Sequence, residues 1–320
     1  METQDAWTYI DALENGRILE HLLAGEGNPL EYSMDPPSGA IPGATILHLS
    51  CNTTSIPHIP YLAAKVMSAL GIEFVSLGGA ENCCGAYQWA TGMDKMGHQV
   101  GNLTLSAFRR VKPVRVVSTC PDCDTLFSLY MTRQHTFRQS NVLELMAENI
   151  DALKPLLVNA VNRRVVMHDH DENESRRADS RGLAQLLSCI PGVDLVTAEH
   201  ATGLGNHCLM KTGRFDGTVY EPVVRKMCEE AVSLGADTLV MPYHGCYRNH
   251  CKRQLDYDIE VFHYLSLIAE SMGIEYEEKF KQVRMLDEVD LAVHELQAVT
   301  EAHGYTSEHA RQALVAKVFV

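Results

Sequence analysis

The 320-residue sequence has no apolar run approaching the about 20 residues of a membrane-spanning helix, so insertion into a bilayer is not expected. Positive charge is scarce. Twenty-seven Lys and Arg face 41 Asp and Glu, for a formal net charge of −14. That argues against nucleic acid as a partner, because phosphate binding needs a basic surface. It also disfavours an anionic membrane surface. Most of the negative charge is read as keeping the chain soluble. The opening stretch METQDAWTYIDALENGR is acidic, with no basic segment and no apolar centre. It is not read as a signal peptide, and a cytoplasmic location with reduced thiols is expected. The Cys-x-x-Cys-x-x-Cys run by which ferredoxins hold cubane clusters is missing too.

What the chain does have is cysteine, ten in all. Five form one set: Cys51, the adjacent pair Cys83-Cys84 followed by Gly85, and Cys120-Pro-Asp-Cys123. Thiolates are the ligands that iron–sulfur clusters and zinc need. Five of them from three segments exceed the four of an ordinary cubane or zinc site, which points to an unusual iron–sulfur cluster. In a cytosolic chain such a set is metal-binding or catalytic rather than cross-linked. Cys189 and Cys228 lie among apolar residues in helical segments and are read as inert packing.

Strand and helix signals alternate, implying parallel βαβ units. The spacing predicts strands over 44–50, 73–77 and 114–118 and helices over 61–70 and 94–111. Cys51 and Cys120 then stand just past strand ends, at the sheet edge where ligands collect in α/β folds. Cys123 falls in the first turn of the next helix, whose positive end favours thiolates. Tyr87 and Trp89 are read either as a shield over the site or as plain core.

The pattern recurs about 120 residues further on. His48-Leu-Ser-Cys51 matches His168-Asp-His-Asp171, and Gly71 to Ser76 matches Gly192 to Thr197. Cys83-Cys84 falls near His207-Cys208, and Ser118 to Cys123 matches Leu239 to His244. A repeat this long means duplicated domains. The expected fold is α/β: two tandem duplicated domains, each a short parallel sheet with flanking helices, plus a C-terminal helical extension. The boundaries are read as a lead and connector over 1–43, the first domain over 44–158, the second over 159–275 and the tail over 276–320.

The cysteine set resembles the CCG cysteine-rich domain family, typified by the B-type component of heterodisulfide reductase. The resemblance covers residues 44–251 as two tandem copies, the second degenerate. It implies that Cys51, Cys83, Cys84, Cys120 and Cys123 hold one noncubane 4Fe–4S cluster. It further implies an oxidoreductase subunit acting on sulfur groups, active in a complex, with a thiol or disulfide as substrate. Without a cubane run of its own, the chain is expected to exchange electrons with a ferredoxin-like iron–sulfur subunit, a flavoprotein subunit, or both. No catalytic residue is named.

In the second copy Asp171, His207, Met241 and His244 replace four of the five thiolates, and Leu209 stands where glycine is expected. A second noncubane cluster is not expected there. Polar remnants remain, among them Asp169, His170, Cys246, His250 and Cys251, and a second metal site, zinc, is considered at His168, Asp171, His207, Cys208 and His244. The alternative is a decayed site that merely lines a cleft. In the tail, apolar spacing over 286–302, a stop at Gly304 and a cap at Thr306 or Ser307 predict a helical pair. It is read as an added packing layer or as a docking surface. Two other functional readings stand beside the leading one: an electron-transfer subunit of a hydroxy-acid oxidase or dehydrogenase, and a non-catalytic zinc scaffold.

Overall fold

A computed structural model of the chain describes residues 2–25, 27–36, 43–132, 135–199 and 217–319. Two compact units emerge, residues 1–142 with 276–320, and residues 143–275.

The first unit opens with helix α1 (Glu2–Leu23) and continues through β1 (Thr45–Leu49), α2 (His58–Ala69), β2 (Phe74–Gly78), α3 (Ala86–Ala90), α4 (Asp94–Val111), β3 (Arg115–Ser118), α5 (Pro121–Tyr130) and β4 (Arg138–Asn141). All four strands are parallel, in the order β2–β1–β3–β4. Strand β1 is Thr-Ile-Leu-His-Leu, buried at every position, as a parallel strand covered on both faces must be. Helix α4 buries Gly97, Gly101, Thr104, Leu105, Phe108 and Val111, a helical stripe that packs Leu105 and Phe108 into a core with Ile46, Leu77, Val116 and Phe127. Strand β4, Arg-Gln-Ser-Asn, was not expected from the sequence. It is a polar edge strand, and edge strands carry little apolar signal.

The second unit runs through α6 (Val142–Glu148), α7 (Ile150–Leu153), β5 (Arg163–Met167), α8 (Glu174–Cys189), β6 (Val193–Val196), α9 (Gly217–Ser233), β7 (Thr238–Met241), α10 (His244–His250), β8 (Glu260–His263) and α11 (Tyr264–Met272). Its sheet is again parallel, in the order β6–β5–β7–β8. The two sheets share one strand order, so the α/β duplication is a structural fact as well as a sequence pattern. Cys228 is fully buried in α9, whereas Cys189, the last residue of α8, is only half-buried.

The tail adds α12 (Lys279–Arg284), α13 (Val289–Glu295), α14 (Gln297–Ala302) and α15 (Ser307–Lys317) to the first unit. The expected single helix over 286–302 is broken in two. Gly304 adopts φ 73°, and Thr306 caps α15 in a capping box with His309. Helix α15 packs on α1, and His21 bonds the Tyr305 hydroxyl at 2.7 Å. Leu314 and Val318 are buried, so these apolar tail residues are covered by their own unit. Among the described residues no helix is long and apolar enough to cross a membrane.

Candidate functional site

In the first sheet β1 lies between β2 and β3, and the chain leaves β1 towards β2 but leaves β3 towards β4. Connections that diverge in this way open a crevice beyond the carboxyl ends of the two central strands. Cys51 follows β1 at that edge and Cys120 follows β3. Cys120 stands in extended backbone immediately before α5, with Pro121 at the first helical position, and Cys123 sits in the first turn. Cys83 and Cys84 arrive from β2 through a 3-10 turn over Ala80–Asn82.

The structure brings all five thiols together. Cys51 Sγ lies 3.8 Å from Cys83 Sγ. Further thiol–thiol hydrogen bonds join Cys83 to Cys84, Cys84 to Cys123 and Cys123 to Cys120. Four of the five are buried, and Cys51 is half-buried. The hydrogen bond to Cys83 and then burial push the Cys51 thiol well up. At Cys84 the hydrogen bond from Cys123 pulls down, but the Cys83 contact and burial outweigh it and the thiol is raised. Cys123 is raised by its bonds to Cys120 and Cys84 and by burial. Thiols crowded in this way cannot all ionise on their own, because each thiolate disfavours the next. A cation among them removes that penalty, so the donor set suits a multiply charged metal centre.

The surrounding shell is built to hold these loops. His48, wholly buried in β1, packs edge-on to Phe108 and Phe127. Burial lowers its pKa to about 4, so the ring is neutral. Its Nε2–H donates to the Asn82 carbonyl at 2.8 Å and Nδ1 faces Ser118 Oγ at 3.2 Å. Asn82 Nδ2 donates to the carbonyls of Gly78 and Met34, both at 2.8 Å, which fixes the residue before Cys83. Thr104 Oγ1 donates to the Cys83 carbonyl at 2.7 Å. Gly85 adopts φ 83° and its amide donates to Cys83 Sγ at 3.4 Å. Thr119 Oγ1 accepts from the Ser50 amide and bonds Thr53 Oγ1 at 2.6 Å, stitching the Cys51 loop to the Cys120 loop.

One wall is aromatic. Trp89 stacks on Tyr130 at 6.4 Å and packs on the core. The Tyr130 hydroxyl is pushed up to about 12, first by burial, with Cys84, Cys83 and Cys123 adding to the shift. Trp89 packs as a core residue, one of the two readings its sequence position allows. Two residues beyond the sequence signal also meet the site. His48 carries no signal in the sequence beyond its place in the repeat. Lys317, from α15, donates to Asn52 Oδ1 at 3.1 Å and exerts a positive charge on Cys51.

In the second unit the equivalent crevice lies beyond β5 and β7. His168, His170 and Cys246 converge there, all buried, with ligand atoms within 4.8 Å of one another. Asp171, the aligned counterpart of Cys51, is exposed, and its carbonyl accepts from Arg177. His244 is buried at the start of α10 but is not one of the three, and burial takes its pKa down to about 3. His207 and Cys208 lie outside the described residues.

Comparison with known proteins falls on the same residues. The family model of the CCG cysteine-rich domain matches residues 45–128. The chain is 25% identical over 228 residues to a subunit of the dihydromethanophenazine:CoB–CoM heterodisulfide reductase of Methanosarcina mazei, and 23% identical over 229 residues to the same subunit from Methanosarcina barkeri. Each alignment covers 68% of this chain and 56% of the relative, so the chain spans about half the length of the curated relatives it matches. A hypothetical protein from Helicobacter pylori aligns over 82% of this chain and 55% of its own at TM-score 0.48 and 10% identity, too loose a likeness to carry an argument. Over residues 45–128 the chain therefore carries a cysteine-rich domain of the CCG family.

Proposed function

We propose that the chain is the iron–sulfur subunit of a heterodisulfide reductase-like complex, in which a noncubane 4Fe–4S cluster is held by Cys51, Cys83, Cys84, Cys120 and Cys123. The observation that carries this reading is the contiguous chain of five thiols at the β1–β3 crevice. The CCG match and the heterodisulfide reductase relatives support it. When bound, such a cluster supplies one-electron chemistry beside sulfur.

The protein's own residues do the rest. Gly85 and Thr104 hold the Cys83-Cys84 turn, and neutral His48 fixes Asn82 in front of it. Trp89 and Tyr130 keep one side away from water. Cys51 is the least buried of the five, so the crevice opens at its side, and a thiol or disulfide approaches there past Asn52 and Lys317. Electrons pass to or from a partner subunit that carries cubane clusters or a flavin.

Anaerobic purification with iron, sulfide and zinc analysis, followed by EPR of an oxidised sample, tests the assignment. The expected result is a brown protein with about four irons and four sulfides per chain. A colourless protein with zinc on four thiolates would overturn it.

A further inference from the structure

The second unit repeats the architecture but not the ligands. His168 follows β5 directly, and its amide continues the sheet by donating to the Val240 carbonyl at 2.8 Å. His170 stands two residues on. Its backbone is clamped to α8 from both sides: its amide donates to Ser180 Oγ at 3.1 Å, and Ser180 Oγ donates back to its carbonyl at 3.0 Å. Cys246 comes from α10, after β7. The three side chains therefore reach the crevice from the two central strands of this sheet.

The distances suit a single ion. His170 Nε2 lies 3.2 Å from Cys246 Sγ, and the rings of His168 and His170 are 4.7 Å apart, edge to face. One nitrogen and one sulfur on a tetrahedral zinc stand about 3.5 Å apart. His170 Nδ1 lies 3.4 Å from Glu172 Oε2, at ion-pair distance. A carboxylate behind a ligating imidazole fixes its orientation and tautomer and strengthens it as a donor. Glu172 is held in turn by Arg176 at 3.7 Å. Arg176 lies over the Tyr243 ring, whose hydroxyl donates to Asp179 at 2.6 Å.

We propose that the second unit binds one zinc ion through His168, His170 and Cys246, its ligands among the described residues, with Glu172 as the positioning residue behind His170. Two imidazoles and one thiolate make a borderline-soft set that suits zinc better than calcium or magnesium, which take oxygen ligands.

The site is tested on the full chain expressed in zinc-supplemented medium, by zinc analysis and zinc-edge X-ray absorption. The expected spectrum shows about one sulfur at ~2.3 Å with light-atom neighbours at ~2.0–2.1 Å, and about one zinc per chain. Cys246→Ser should remove the sulfur contribution and most of the zinc, whereas Cys251→Ser and Cys189→Ser should leave both unchanged. Glu172→Gln should weaken zinc binding by roughly ten- to a hundredfold while the neighbours stay the same. Chain purified without zinc overturns the proposal, as does zinc with no sulfur neighbour or a sulfur retained in Cys246→Ser. If Cys246→Ser does not fold, the wild-type sulfur count and Glu172→Gln still decide. A spectrum with four sulfurs would instead place zinc on the first unit's thiols. That outcome defeats this proposal and the cluster reading together, whereas iron-free chain with the one-sulfur spectrum defeats only the latter.

Discussion

Cys51 Sγ lies 3.8 Å from Cys83 Sγ, although the two stand 32 positions apart and follow different strands. The contact joins the β1 loop to the β2 loop, and Cys83 continues it through Cys84 and Cys123 to Cys120. No thiol in the set lacks a sulfur neighbour, so loss of any one is expected to be felt by the whole.

Replacing Cys84 or Cys120 with Ser should therefore lower bound iron several-fold and bleach the visible absorption. Ser at Cys189 or Cys228 should do neither, because these sit on α8 and α9 in the other unit. Iron analysis of the four variants checks this. Equal losses at all four would remove the assignment.

Gly85 cannot carry a side chain. It adopts φ 83°, and a β-carbon there would stand 2.2 Å from the Gly97 carbonyl oxygen. Gly85→Ala is expected to cost about 2–4 kcal/mol, from the left-handed backbone together with the clash. Denaturant unfolding measures it. A change below about 0.5 kcal/mol would mean that the Cys83-Cys84 turn is not held as described.

Lys317 places positive charge on Cys51 through space and bonds Asn52. Positive charge beside a cluster favours its reduced state, so Lys317→Met should lower the reduction potential. An interaction of about 1 kcal/mol corresponds to a shift on the order of 40 mV. Potentiometric titration should show the negative shift without loss of iron, and an unchanged or raised potential would count against a role for this lysine.

His58 is buried in α2, beside Glu278 and stacked on Tyr276, and burial holds its pKa at about 4 against an ordinary 6.5. A base whose folded pKa is depressed gives stability that is fully present above pH 6.5 and lost as pH falls towards 4. The full loss is on the order of 3 kcal/mol. Stability measured across that range should fall as pH drops, and His58→Leu should flatten the slope. An identical slope in the variant would show that His58 is not neutral when folded.

Anaerobic pull-down should recover a ferredoxin-like or flavin-bearing subunit, because the sequence has no run of cysteines for cubane clusters. Full disulfide reduction by the isolated chain with a small soluble donor would contradict this.

The sequence by itself determined the α/β alternation, the duplication and the five cysteines that meet in the first unit. Each is written in local spacing: β1 as an unbroken apolar run, α4 as a helical stripe ending at Val111, and Cys-Cys-Gly beside a turn. It did not reveal β4, because an edge strand of Arg-Gln-Ser-Asn buries too little to show an apolar pattern. Nor did it reveal which remnants of the second copy meet. Alignment pointed to Asp171, yet the structure turns Asp171 to solvent and gathers His170 and Cys246 instead. A strand end fixes which residue enters a crevice only once the backbone after it has been bent, and the Ser180 clamp on His170 does that bending from a different helix. Lys317 is the extreme case, 265 positions from Asn52. It reaches the site only because α15 packs on α1, a contact that no local pattern records and that tertiary burial, with the His21–Tyr305 hydrogen bond, decides.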